Sequence, residues 1–150
     1  PGGESRARWH VARAIQDFTR AFGVRPRGCW PAEGAVSTRT VQLLDSFGFD
    51  WLATGEGVLR GSLELAGVEP GPSTANRPWR VAGSRAATFF RHEELSDRIG
   101  FVYSKWHGDD AARDFVQRLE QLADAHRDDP SRTVAIVLDG ENAWEHYPYN

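Results

Sequence analysis

The chain has 150 residues and a formal net charge of -3 at pH 7. Its 18 Lys and Arg residues are interspersed with 21 Asp and Glu residues, which excludes the basic surface typical of nucleic-acid-binding proteins. No apolar run approaches the roughly 20 residues that cross a bilayer, so we expect neither nucleic acid nor a membrane as a partner. One cysteine and the lack of a signal-peptide pattern fit a reducing compartment, and we expect a cytoplasmic protein.

The first third of the chain predicts two amphipathic helices and a short strand. Apolar residues recur at three- and four-residue spacing over residues 6–22, and Gly23 is a helix-ending signal. A strand is predicted at residues 28–30, followed by a loop. Ser37 is suited to cap a second helix that reaches residue 47. A strand–loop–helix order therefore begins early in the chain.

The middle of the chain continues the pattern. A second buried strand is predicted at residues 49–53, followed directly by a polar, Gly-rich loop at 54–57. Residues 66–80 contain three prolines and predict a surface loop. A third strand is predicted at 86–90, and a helix at 95–103.

The last third predicts one long helix at residues 109–127 and a fourth buried strand at 133–138. Alternating strands and helices with continuously apolar strands predict an α/β fold of parallel βα units. In such folds the chemistry lies at the carboxyl ends of the strands.

Two carboxyl groups follow predicted strands and are candidates for catalysis. Glu33 lies in "GCWPAEG" and Asp139 opens "DGENAWE". A pair of carboxyl groups is the minimal equipment for glycoside hydrolysis, in which one attacks the anomeric carbon and the other protonates the leaving oxygen. Burial beside Trp30 or Trp144, with Glu141 as a negative neighbour, would raise the pKa of the acid. The alternative is that either carboxylate caps a helix or pairs with an arginine.

Tryptophan accounts for six residues of the chain, and some of these side chains lie near the candidate carboxyls. Sugar rings present flat C–H faces that pack on aromatic planes, so Trp30 and Trp144 are candidates for substrate contact. Trp9 and Trp51 are expected to fill the core.

Other polar residues give weaker signals. Arg91 and His92 follow the third strand and could supply a cation or a hydrogen-bond donor to a substrate. The five His residues are scattered and have no helical spacing, so we predict no metal and no cofactor. Cys29 is expected to pack within its strand. His107 and Asp109 are expected to form a turn and a helix cap.

Five segments in a fixed order carry a resemblance to a known family: "GCWPAEGAVS", "GFDWLATGEGVL", "FFRHEELSDRIGFVYSKW", "DAARDFVQRLEQL" and "VAIVLDGENAWEHYP". Together they resemble glycoside hydrolase family 57, which contains α-amylase-like, amylopullulanase-like and 4-α-glucanotransferase enzymes. The resemblance implies an incomplete sevenfold (β/α) barrel and a retaining mechanism on α-1,4- or α-1,6-linked glucans. Glu33 matches the family's nucleophile and Asp139 matches its acid/base. Retention requires carboxyl groups about 5–5.5 Å apart.

The chain departs from the family pattern at its start, where the His-Gln-Pro motif of the family is absent. With four predicted strands instead of seven, residues 1–150 are expected to be a partial catalytic domain from the middle of the barrel, truncated at both ends. Activity of this piece by itself is therefore not assured. Exposed strand edges and apolar helix faces predict self-association.

Two alternatives to a retaining glycosidase or glucanotransferase stay open. One is a metal-dependent sugar deacetylase-like barrel, which would need clustered His and Asp ligands. The other is a non-catalytic fragment that binds glucan or serves as a scaffold.

Overall fold

A computed structural model describes residues 2–71, 73–140 and 144–148. The chain divides into two compact units. The first comprises Pro1–Thr54 and Trp79–Phe89, and the second comprises Gly55–Pro78 and Phe90–Asn150. Glu33 therefore belongs to the first unit, and Asp139 belongs to the second.

The first unit contains two helices and most of a four-stranded sheet. Its elements are α1 (Gly3–Phe22), β1 (Gly28–Cys29), α2 (Thr38–Ser46), β2 (Trp51–Gly55), β3 (Trp79–Arg80) and β4 (Ala87–Arg91). The last residues of β2 and β4 continue into the second unit. The core is a cluster of buried side chains from α1, α2, β2 and the loops: Ile15, Val41, Leu44, Phe49, Leu52 and Ala86.

The strand order in the sheet is β1-β2-β4-β3. β1 and β2 are parallel, with Gly28 opposite Trp51, as the predicted βα units require. β3 and β4 are antiparallel, with Trp79 opposite Thr88, which corrects the prediction of parallel units only. The reason is the short connection of residues 81–86, because a parallel pair needs a crossover of a dozen or more residues. The fold is therefore α/β with a mixed sheet.

The two helices of the first unit agree with the sequence prediction. Gly23 ends α1 with φ of 72°, and its N–H donates to the carbonyl of Thr19 at 2.9 Å. Ser37 caps α2, because its Oγ accepts the N–H of Thr40 at 3.2 Å. Cys29 packs half-buried against the core, and burial raises the pKa of its thiol.

The second unit is mainly helical. Its elements are α3 (Glu56–Ala66), α4 (Glu93–Asp97), a π-helical turn (Arg98–Val102), a 3-10 turn (Tyr103–Lys105) and α5 (Gly108–Ala125). The helix predicted at 95–103 is thus interrupted, and Gly100 within it lowers its α-helical propensity. His107 caps α5, as expected for the turn at this point, by accepting the N–H of Asp109 at 3.4 Å.

Two predictions for the second unit are wrong in detail. The loop predicted at 54–57 contains the start of α3, which buries Leu59 and Leu63 one turn apart. The strand predicted at 133–138 is reduced, within the described residues, to a single parallel bridge between Ala135 and Arg91. Part of the backbone of this segment is hydrogen-bonded by side chains instead of by a neighbouring strand.

Among the described residues, no helix has the combination of length and apolar character needed to cross a bilayer.

Candidate active site

Glu33 lies in a tight 3-10 turn, Ala32–Gly34, four residues after β1. The turn is closed by the N–H of Gly34, which donates to the carbonyl of Pro31 at 2.8 Å. Glu33 has φ of 55° and ψ of 22°, and it is the one non-glycine residue in the described chain with a positive φ. A left-handed conformation costs a residue with a Cβ about 1–3 kcal/mol, and such strain is concentrated at functional sites.

A buried hydrogen bond holds this turn on the sheet. Gly34 is buried, and its carbonyl accepts the hydroxyl of Thr54 at 2.5 Å. Thr54 is fully buried near the end of β2, so its side chain cannot exchange this partner for water. The strained turn is therefore tied to the carboxyl end of a strand, while the Glu33 side chain is exposed.

Three tryptophans of the first unit are exposed, and for two of them this corrects the sequence prediction. Trp30, beside the Glu33 turn, is 38% exposed and available for ligand contact. Trp9 and Trp51 were expected in the core, but they are 63% and 42% exposed. The ring of Trp51 lies over Gly28, where any Cβ would come within 2.0 Å of it, and packs edge-to-face on Phe89 at 6.2 Å. It therefore lines a half-open face of the sheet.

The second unit brings Arg91 to the segment that precedes Asp139. The Nε of Arg91 donates to the carbonyl of Val137 at 2.9 Å, and its Nη2 pairs with Asp97 at 2.6 Å. The Arg91 side chain is only 19% exposed. Two of its donors are thus engaged by the protein, and the residue acts as a clamp on Val137.

Two further contacts hold the same segment. The N–H of Val137 donates to the Oγ of Ser96, a fully buried side chain, at 3.3 Å. The N–H of His92 donates to the carbonyl of Ala135 at 2.8 Å. Both backbone polar groups of Val137 therefore have partners, and Asp139 follows two residues later. The side chain of Asp139 is exposed, where the sequence argument expected burial against a tryptophan. Glu141, its predicted neighbour, lies outside the described residues.

His92 has a defined tautomer because of its position before α4. Its Nδ1 accepts the N–H of Leu95 at 3.3 Å and therefore carries no proton in this arrangement. The neutral ring is consequently protonated at Nε2, which is a hydrogen-bond donor. Glu56 lies 4.0 Å from Nδ1.

Glu93 is a polar residue of this region that sequence reasoning missed. Its carboxylate accepts the N–H of Gly57 at 3.2 Å, at the positive end of α3. A Cβ on Gly55 would come within 3.4 Å of the same carboxylate. The Gly-x-Gly spacing after a predicted strand was the available signal, because such glycines permit close approach of a side chain to the backbone.

Trp144 lines a pocket of about 590 Å³ in the second unit. Aromatic rings dominate its wall, and they come from the 3-10 turn, from α5 and from the residues after Asp139: Tyr103, Trp106, Phe115, Trp144 and Tyr147. Sequence reasoning named only Trp144 as a substrate contact within this group, because Tyr103, Trp106 and Phe115 lie in other segments of the chain.

Ionic contacts anchor one wall of that pocket. The hydroxyl of Tyr103 donates to Asp114 at 2.7 Å, and Arg118 donates to the same carboxylate at 2.8 Å. Burial, together with the Asp114 carboxylate, raises the pKa of Tyr103 to about 12. The hydrogen bond from Arg118, followed by that from Tyr103, lowers the pKa of Asp114.

Within the described residues, no group of three or more His, Cys, Asp and Glu side chains is arranged to hold a metal ion.

The structure is that of an α/β protein in which the side chains of Glu33, Asp139, Trp30 and Trp144 are exposed. The family model of glycosyl hydrolase family 57 matches residues 3–150. The chain therefore belongs to glycosyl hydrolase family 57, a family of glycoside hydrolases and transglycosylases that act on glucans. No curated protein matches the chain significantly.

Proposed function

We propose that this chain forms part of the catalytic domain of a retaining glycosidase or glucanotransferase that acts on α-1,4- or α-1,6-linked glucans. In this proposal the chain contributes strands to an incomplete (β/α)7 barrel, Glu33 is the nucleophile and Asp139 is the acid/base. The observation that carries it is the left-handed backbone of Glu33, which presents a carboxylate from a strained turn at a strand end. Membership of the family supports the same reaction class.

The proposed reaction has two steps. The Glu33 carboxylate attacks the anomeric carbon while the bond to the glycosidic oxygen breaks, and the carboxylic acid of Asp139 gives its proton to that oxygen. A glycosyl ester of Glu33 results. In the second step, the Asp139 carboxylate takes a proton from water or from a sugar hydroxyl. The oxygen of that molecule then attacks the anomeric carbon and releases Glu33.

The remaining candidates have substrate-binding roles in this proposal. Trp30 and Trp144 offer exposed aromatic faces to sugar rings. His92 offers the Nε2–H donor that follows from its tautomer. Arg91 and Glu141 complete the proposed set, and the site of action is proposed to be the cytoplasm.

The test replaces each carboxyl by its amide in a protein that contains the whole catalytic domain, and measures turnover of maltoheptaose and of an aryl α-maltoside. We expect Glu33→Gln to lower kcat about 10³-fold or more on both substrates, because attack itself is lost. Asp139→Asn should cost about 10²–10⁴-fold on maltoheptaose. It should cost much less in the first step on an aryl substrate, whose leaving group needs no proton.

The control is Glu69→Gln, which removes an exposed carboxyl in the loop after α3. Turnover that survives in Glu33→Gln would contradict the proposal. Glucan binding without turnover in the unsubstituted protein would favour the non-catalytic alternative.

A further inference from the structure

The aromatic pocket of the second unit has a wall built from three stretches of chain. Tyr103 and Trp106 come from the 3-10 turn and the residue after it, Phe115 comes from α5, and Trp144 and Tyr147 come from the final described segment. Its volume of about 590 Å³ lies within the ~300–1,000 Å³ range of small-ligand sites. Small side chains at the start of α5, including Ala111 and Ala112, line the pocket and leave this room.

The rings of the pocket support one another. Tyr103 packs edge-to-face on Trp106 at 5.5 Å and on Phe115 at 6.4 Å, and Trp144 packs edge-to-face on Tyr147 at 5.4 Å. The hydroxyl of Tyr147 donates to the carbonyl of Ile99 at 2.5 Å, and that of Tyr103 is held by Asp114. The tyrosines are therefore fixed in place, and a ligand that binds here meets a preorganised wall.

The two tryptophans remain open to solvent within this wall. Trp106 is 43% exposed and Trp144 is 54% exposed. Large aromatic side chains that are braced on one side and half-exposed on the other are suited to stacking against a ligand.

The wall carries no charge at neutral pH. The residues that line the pocket are aromatic, aliphatic, small or hydroxyl-bearing. Burial raises the pKa of Tyr147, and that of Tyr103 is about 12, so both phenols stay protonated. A neutral wall selects a neutral ligand with flat apolar faces, and a sugar ring has such faces together with hydroxyl groups that remain solvated.

The pocket is also close in the chain to Asp139. Five peptide units separate Asp139 from Trp144 and span at most roughly 18 Å. A glucan whose scissile bond lay at Asp139 would therefore reach the pocket within a few sugar units.

We propose that this pocket is a glucan subsite, in which Trp106 and Trp144 stack on sugar rings of an α-glucan chain away from the bond that is cleaved. The inference rests on the proposed function for the identity of the sugar. The subsite itself is a binding site, and its test does not require turnover.

The experiment titrates maltoheptaose into the isotopically labelled Glu33→Gln variant and follows the indole N–H signals of its six tryptophans by NMR. We expect the signals of Trp106 and Trp144 to shift with a common dissociation constant, and that of Trp9 to stay in place. Replacing Trp106 or Trp144 by Ala should weaken binding roughly tenfold, while replacing either by Phe should restore most of it. Trp9→Ala is the matched control, because Trp9 is also an exposed tryptophan but belongs to the first unit.

A second variant tests the pocket without removing a ring. Ala112→Phe fills space beside the rings and should weaken maltoheptaose binding to a similar extent. No shift of Trp106 and Trp144 at millimolar maltoheptaose, or equal affinity in the Ala variants and in Trp9→Ala, would overturn the subsite. A third outcome separates the two proposals. If maltoheptaose shifts Trp106 and Trp144 as expected, but turnover is unaffected by replacement of Glu33 or Asp139, the subsite is supported and the proposed catalytic pair is contradicted.

Discussion

Glu33 and Asp139 both follow stretches with the sequence pattern of a strand, but the backbone near each residue is fixed by different means. Glu33 is held by backbone conformation, in a left-handed turn that a buried Thr54 hydroxyl secures. The segment before Asp139 has a single bridge of its own and is held by the side chains of Arg91 and Ser96. The first arrangement stores strain in one residue, and the second distributes its contacts over two side chains, one at the end of β4 and one within α4. The two arrangements should therefore fail in different ways when contacts are removed.

Among the changes that separate these two arrangements, the largest effect is expected from Arg91→Met. This change removes the donor to the Val137 carbonyl, and we expect the resulting displacement of Asp139, at about 1 Å, to lower kcat about 10²-fold. The measurement is steady-state kinetics on maltoheptaose. Arg113→Met is the control, since Arg113 forms an exposed pair with Asp110 within α5.

The kinetic pattern also separates two roles for Arg91. A positioning residue lowers kcat, whereas a residue that binds substrate uniformly raises KM at constant kcat. Unchanged kcat with raised KM would therefore contradict the positioning role and leave only the substrate contact proposed above for Arg91.

The next effect concerns the hydrogen bond from Thr54 that holds the Glu33 turn on the sheet. Thr54→Val leaves the buried Gly34 carbonyl without its partner and should lower the free energy of unfolding by about 1–3 kcal/mol. Thr88→Val is a matched control in the same sheet, because the Thr88 Oγ1 is buried and has no hydrogen-bond partner among the described residues. Thr88→Val should be neutral or slightly stabilising. Urea denaturation of both variants measures the difference, and equal losses would show that the Thr54 bond does not hold the turn.

A smaller effect is expected from relief of the strain itself. Glu33→Gly and Glu33→Ala both remove the carboxylate, but only glycine adopts a φ of 55° without a Cβ penalty. We expect the Gly variant to be more stable than the Ala variant by about 1 kcal/mol in urea denaturation. Equal stabilities would mean that the left-handed conformation is absent in solution.

A further effect appears only at alkaline pH and concerns Tyr103 in the second unit. The pKa of Tyr103 is raised from 10.0 to about 12 in the folded protein, so folding favours its protonated form. The stability contributed by this group is present below pH 10 and is lost as the pH rises towards 12. Tyr103→Phe should flatten the fall in unfolding free energy over this window. A phenolate absorbance change near pH 10 for every tyrosine would contradict the raised pKa.

The sequence predicted the elements whose signals are local. Ser37 and Gly23 mark helix boundaries through side-chain capping and a left-handed glycine, and both act where the sequence indicates. Helix α3 was missed, because the glycines at 55 and 57 read as a loop and no helix was predicted for residues 58–65. The tertiary contact from the Glu93 carboxylate supports this helix start and is not visible in local propensity.

Site features were predictable to the extent that they follow strands. Glu33, Arg91 and His92 follow predicted strands, but the left-handed φ of Glu33 has no sequence signal, since glutamate has no preference for it. The exposure of Trp51 depends on Gly28 in the neighbouring strand, a pairing that the sequence alone does not specify. The strand at 133–138 was overpredicted, because an apolar run indicates burial and not a hydrogen-bonded partner.

The most direct test of the central claim is covalent trapping of the nucleophile. The protein is incubated with a 5-fluoro-α-glucosyl fluoride, whose slow turnover lets the glycosyl ester accumulate, and the labelled peptide is identified by mass spectrometry. The account predicts one sugar adduct on Glu33, and no adduct in Glu33→Gln. An adduct on another residue, or none in a protein that cleaves maltoheptaose, would contradict the assignment of Glu33 as the nucleophile.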